Sequence, residues 1–159
     1  MLQKDYGLPK DCTLTSFTTL LSWMLPDLEV QEIYNQVEYV AKKFGYNGVK
    51  SGTNPIVMRS ILNYLFNIYG LKYKAFSRYL KNVCYSFNTI KKLIDENKPV
   101  VLNLHKDGRN YYSNHTVLIS GYVESDEYQM LAIHDNWAST TSYIDFKKLS
   151  MVSSIISFN

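Results

Sequence analysis

Apolar residues recur at helical spacing through the first part of the chain. In "DCTLTSFTTLLSWMLPD" they stand at Leu14, Phe17, Leu20, Leu21 and Met24, one face of a 3.6-residue period. Pro26 ends that run, because a proline inside a helix removes a donor and clashes with the preceding turn. Asp11 suits the N-cap position, with a start near Thr13 as the alternative. "EVQEIYNQVEYVAKKFG" repeats the pattern at Val30, Ile33, Tyr34, Val37, Val40 and Ala41, and Gly45 closes it. After the loop "NGVKSGTN", Asn54 caps a third helix. Pro55 lies in its first turn, and it runs to Tyr69 with Gly70 as the stop.

The second half changes period. "LKYKAFS" alternates and predicts a strand. "SFNTIKKLIDENK" predicts a short helix with Ser86 as its cap. "PVVLNLH", "HTVLISGYV", "YQMLAIHD" and "TSYID" predict strands. A helical turn at Asp145–Leu149 and a last strand at Val152–Ile156 complete the chain. Helices followed by a mainly antiparallel sheet make an α+β layout. We expect one domain over residues 1–159, with a helical lobe over about 1–70 and a sheet lobe over about 71–159. The crossing between them creates a cleft, where ligands tend to bind.

Composition narrows the classes. The chain has 159 residues, enough to bury roughly two thirds of its unfolded surface without a metal or a disulfide framework. It is 46% hydrophobic and 19% charged, as soluble globular proteins are. The net charge of +3 is spread over scattered lysines, and the pairs Lys42-Lys43, Lys91-Lys92 and Lys147-Lys148 read as solvated faces. A nucleic-acid binder would show a basic stripe, so no nucleic-acid partner is expected. No run of about 18 apolar residues predicts a membrane span, and no signal-peptide pattern opens the chain. The 14 tyrosines supply apolar area with a polar tip.

The candidate chemistry comes from two cysteines and three histidines. Cys12 opens the first predicted helix, where unpaired amides and the helix dipole favour a thiolate and can hold an oxyanion. The competing reading is a small buried apolar cysteine. Cys84 reads as structural, Trp23 as core, and His105 as a surface histidine at a strand end. The turn "KDGRN" brings Arg109 near the cleft. His115 opens the strand "HTVLISGYV", and the return strand "YQMLAIHDNW" forms a hairpin with it. A three-residue loop centred on Ser125 sets residue 115 opposite Asp135. A two-residue loop sets it opposite His134 or Asn136. An acid there would orient the imidazole as a general base. A second histidine would suggest a metal, but the chain lacks metal-ligand spacing, so neither a metal nor another cofactor is expected.

"DCTLTSF" at a helix start, then "NHTVLISGY", then "HDNW" resembles the papain-like cysteine peptidases, closest to small bacterial peptidases related to the double-glycine leader peptidases that process bacteriocins. The similarity spans residues 6 to about 156 in element order. It implies a papain-like α+β fold with an N-terminal helical lobe against a C-terminal antiparallel sheet. It also implies a peptide or protein substrate, and it leans towards a protein secreted or held at the cell surface, with the cytoplasm, which the lack of a disulfide framework also suits, as the alternative. Cys12 would attack as the nucleophile, His115 would move the proton, and Asp135 would orient His115. Trp137 would shield the histidine–acid contact. The family's oxyanion glutamine stands before the cysteine, where this chain has Tyr6 and, further back, Gln3. Asn136 and Trp137 are further candidates for the cleft. "Cys-Thr-Leu" replaces the family's Cys-Gly and a small residue, so Thr13 narrows the site. An acyltransferase, or a peptide-binding domain with little turnover, would use the same residues.

Overall fold

A computed structural model describes residues 10–48, 50–80, 87–106, 112 and 114–159. Three helices come first: α1 (Cys12–Met24), α2 (Val30–Lys43) and α3 (Pro55–Ile68). The remaining elements are β1 (Ala75–Tyr79), α4 (Phe87–Asp95), β2 (Val100–Leu104), β3 (His115–Glu124), β4 (Gln129–His134) and β5 (Ser142–Asp145). A 3-10 turn (Phe146–Lys148) and β6 (Ser154–Phe158) end the chain. The α+β order read from the sequence holds.

The stops act as their chemistry predicts. Gly45 and Gly70 adopt φ of +88° and +64° after α2 and α3, the left-handed closure that glycine adopts without strain. Asn54 Oδ1 accepts from the Ile56 amide at 3.0 Å and caps α3. Asp11 occupies the N-cap position of α1 but its side chain makes no capping bond. It is fully buried and accepts at 2.9 Å from the Tyr34 hydroxyl on α2. Asp11 therefore ties the start of α1 to α2. Trp23 does not enter the core. It falls off the stripe formed by Leu14, Phe17, Leu20 and Leu21 and is half exposed.

All strand pairs are antiparallel, in the order β1-β6-β2-β3-β4-β5. Both faces of the central strands are covered, which is why "VVLNL" is buried throughout. Val101, Leu118 and Ile156 face the α1–α3 layer and pack in one core with Phe17, Leu62 and Phe66. Val100, Leu102, Val117 and Ile119 face the other way, toward Phe87 and Ile90 of α4.

Two strands begin later than their periodicity suggests. β6 starts at Ser154, because the Ser153 amide bonds back to the Ser150 carbonyl at 3.0 Å and closes a turn. It continues to Phe158, whose ring meets Phe66 at 5.9 Å and Tyr73 at 5.3 Å. β1 starts at Ala75, which pairs with Phe158, because the preceding stretch closes α3 through the Leu71 amide and the Phe66 carbonyl.

Phe17 is fully buried at the centre of the helical core. Phe17→Ala should lower unfolding free energy by about 3–5 kcal/mol, the usual penalty for an emptied aromatic site. Urea denaturation of the two proteins measures it; a loss near zero would mean that α1 does not pack as described.

Candidate active site

The first turn of α1 meets the first residues of β3. Ser16 Oγ donates to the Thr116 carbonyl at 3.1 Å. Thr13 Oγ1 lies 3.0 Å from Thr116 Oγ1. Thr116 gives its own hydroxyl proton to Asn103 Oδ1 at 3.0 Å, so Thr13 is the donor in that pair. Asn103 Nδ2 then donates to Ser154 Oγ at 3.2 Å. A buried polar chain thus runs from α1 across β3 and β2 to β6. Each of these groups has a partner, which is what burial demands of polar atoms.

That seam brings the predicted nucleophile and base to one place. Cys12 precedes Thr13, His115 precedes Thr116, and both line a cavity of about 790 Å³. Thr13, Asn103, Thr116 and Ser154 form part of its wall, with Trp137 beside them. His105, an exposed residue, also lines it, so this histidine is at the surface and at the cleft together. Lys10 closes another side. Its Nζ donates to the Lys50 carbonyl at 2.9 Å, and a Cβ on Gly52 would come within 3.1 Å of the Lys10 carbonyl oxygen. The backbone before Cys12 and the loop before α3 are therefore held close.

Hairpin register differs from both sequence expectations. The connection spans residues 125–128, closed by the Ser125 amide on the Tyr128 carbonyl at 3.0 Å. A bulge lies between Ile119 and Gly121, and beyond it Leu118 pairs with His134. Counting back from that pair sets His115 across from Trp137. The rings of these two residues stack at 4.4 Å between centroids, and Tyr112 stacks on the imidazole at 5.6 Å.

Asp135 meets His115 through its backbone. His115 Nε2 lies 2.6 Å from the Asp135 carbonyl oxygen. A carbonyl oxygen only accepts, so Nε2 carries the proton and the neutral ring keeps its lone pair on Nδ1. The Asp135 carboxylate has other partners. Oδ1 accepts from the amides of Trp137 (3.0 Å) and Ala138 (3.2 Å), and Oδ2 from the hydroxyls of Ser142 (2.8 Å) and Tyr112 (2.9 Å). Burial pushes its pKa up, but these four bonds outweigh burial and hold it below the ordinary aspartate value. Burial also lowers the pKa of His115, against the opposing effect of the Asp135 carbonyl bond and charge.

Asn136 turns inward. Its Nδ2 donates to the Cys12 carbonyl (3.2 Å), Ser16 Oγ (2.9 Å) and the Thr116 carbonyl (2.9 Å). Trp137 is 47% exposed at the mouth of the cavity. Gln3, Tyr6, Cys84, Ser86 and Arg109 lie outside the described residues. Among the described residues no cluster of three or more His, Cys, Asp or Glu could hold a metal ion, and no helix is long and apolar enough to cross a membrane.

A family model described as the Peptidase_C39 like family covers residues 2–153. The chain belongs to the Peptidase_C39 like family. Membership relates it to the papain-like cysteine peptidases, and the order of helices then antiparallel sheet is consistent with that fold. A search of curated proteins found no match. The sequence marks Thr13 but not Ser16, Asn103, Thr116, Tyr112 or Ser142, because isolated hydroxyls and amides carry no periodic signal. The two asparagines beside the site, Asn114 and Asn136, were the available clue. Both have left-handed backbones, with φ of +49° and +67°, and asparagine tolerates that region better than most residues.

Acid should destabilise this Peptidase_C39 like protein in two windows. The folded His115 binds its proton less readily than the unfolded ring, so stability falls as pH drops below about 6.5. The folded Asp135 gives up its proton more readily than the unfolded group, so stability present above about 3.9 is lost as pH falls through the folded value. Urea denaturation from pH 7.5 downward measures both. His115→Gln should flatten the upper window and Asp135→Asn the lower one; unchanged slopes would refute the assignments.

Proposed function

We propose that the protein is a cysteine peptidase in which Cys12, His115 and Asp135 cleave a peptide bond through a thioester intermediate. The observation that supports this most is the hydrogen bond between His115 Nε2 and the Asp135 carbonyl, on a cavity that Cys12 also lines. It leaves Nδ1 as the ring nitrogen that can receive a proton. On this reading residues 1–159 act as one domain, and a peptide or protein chain is the substrate.

The steps balance as follows. His115 Nδ1 takes the Cys12 thiol proton while Sγ forms a bond to the scissile carbonyl carbon. The Cys12 amide lies in the first turn of α1, where no intrahelical acceptor exists, and donates to the developing oxyanion. Gln3 or Tyr6 would supply a second donor. The carbon–nitrogen bond then breaks, and the leaving amine takes the proton from Nδ1. Water next attacks the thioester and gives a proton to Nδ1. The carbon–sulfur bond breaks, the thiol regains that proton, and the acid product leaves. Asp135 acts in two ways. Its carbonyl holds the ring, and its carboxylate holds the loop that carries the carbonyl.

This division of labour predicts an unusual ranking of variants. Cys12→Ala should abolish cleavage of a peptide library, and His115→Ala should lower kcat/KM by about 10³-fold, within the usual range for general acid–base catalysis. Asp135→Asn should lower it by only about tenfold, because the carbonyl remains. A loss for Asp135→Asn as large as for His115→Ala would show that the carboxylate itself orients the ring. Iodoacetamide should alkylate Cys12 faster than Cys84, and His115→Ala should remove the difference. Equal rates in the unaltered protein would reject Cys12 as a nucleophile.

A further inference from the structure

Asn136 follows Asp135, and the site as described uses only the peptide between them. The residue is 2% exposed. Its φ of +67° lies where a Cβ is disfavoured. Its Nδ2 contacts acceptors on two elements, Cys12 and Ser16 on α1 and Thr116 on β3. Chemistry fixes the orientation of the amide. The Cys12 and Thr116 carbonyls only accept, and Ser16 directs its proton to the Thr116 carbonyl, so all three positions require a donor. The opposite atom, Oδ1, is buried and has no partner among the described residues. A buried amide oxygen left unpaired is unfavourable, so the donating side of this residue outweighs that loss.

The backbone supplies the other half. The Asp135 carbonyl and the Asn136 nitrogen belong to one planar peptide unit. His115 Nε2 bonds to that carbonyl. Asn136 therefore grips the cysteine's helix with its side chain, while its backbone nitrogen shares a rigid peptide plane with the histidine's acceptor. A glycine would satisfy the dihedral more easily, and it would lack both N–H groups.

We propose that Asn136 is a positioning residue: its amide locks the first turn of α1 to the Asp135–Asn136 peptide and so fixes His115 as the Nε2–H tautomer. Its catalytic meaning rests on the peptidase reading above, while the tautomer itself can be measured without turnover.

Asn136→Gly tests this, since it keeps the left-handed backbone and removes the amide. Nitrogen-15 spectra of the histidine rings, assigned with His115→Gln, should show Nε2 protonated and Nδ1 bare in the unaltered protein at neutral pH. In Asn136→Gly the His115 signals should move to a mixture of tautomers, and Cys12 alkylation should slow at least about tenfold, as misplaced reacting groups do. With a peptide substrate, kcat should fall while KM stays within about twofold. A folded Asn136→Gly protein with the original tautomer and alkylation rate would overturn the proposal. So would a proton on Nδ1 in the unaltered protein. Should the glycine variant not fold, Ser16→Ala removes one of the three acceptors. It should shift the tautomer in the same sense by a smaller amount, and no shift would count against the proposal. If Asn136→Gly moves the tautomer but the unaltered protein cleaves no peptide, the positioning role stands and the peptidase reading fails.

Discussion

The contact between the start of α1 and the start of β3 governs the rest of this structure. It is made of hydroxyls, amides and carbonyls in a place without bulk water. Each such bond is stronger there than in solvent, and each broken one leaves a buried group unsatisfied. Thr13, Ser16, Thr116 and the Asn136 amide nitrogen must therefore be in register, or their bonds between α1, β3 and residue 136 are lost. The hydrophobic layers on either side of the sheet bring α1 onto β3, but apolar packing tolerates small slips. The polar seam does not. It converts an approximate docking of helix on sheet into a defined one, and residues 12 and 115 share that definition because each is one position from the seam.

On the peptidase reading, a backbone atom beside the imidazole takes the part usually assigned to a side chain. The Asp135 carboxylate is occupied by two amides and two hydroxyls, so it stays charged and rigid. That rigidity reaches His115 through the peptide carbonyl. The negative charge still lies close enough to favour the protonated ring, against the burial that opposes it. Ring position and tautomer then follow from the Asp135 carbonyl, and basicity from burial set against the Asp135 bond and charge.

Much of this was legible in the sequence. The helical periods of α1 to α3, the proline and glycine stops, and the α+β order come from spacing and from residues with restricted or unusual dihedrals. Cys12 at a helix start and His115 at a strand start follow from those boundaries. The hairpin register did not follow, because the turn spans residues 125–128 instead of centring on Ser125, and the bulge at Ile119–Gly121 then moves the pairing back by one residue. The division of Asp135 into carbonyl and carboxylate was hidden for a different reason: it depends on hydroxyls from Tyr112 and Ser142, residues of ordinary type that no spacing pattern ties to Asp135. Trp23 was misread because it sits beside an apolar stripe, and size alone suggested burial.

The stack of Trp137 on His115 has a use outside the chemistry. The indole is half exposed at the cavity mouth, and the imidazole lies against its face. A charged imidazole quenches indole emission far more than a neutral one does. The chain contains two tryptophans, and the other, Trp23, lies on α1 away from this stack. The protein thus carries its own optical gauge of the histidine's charge, readable by fluorescence without a label.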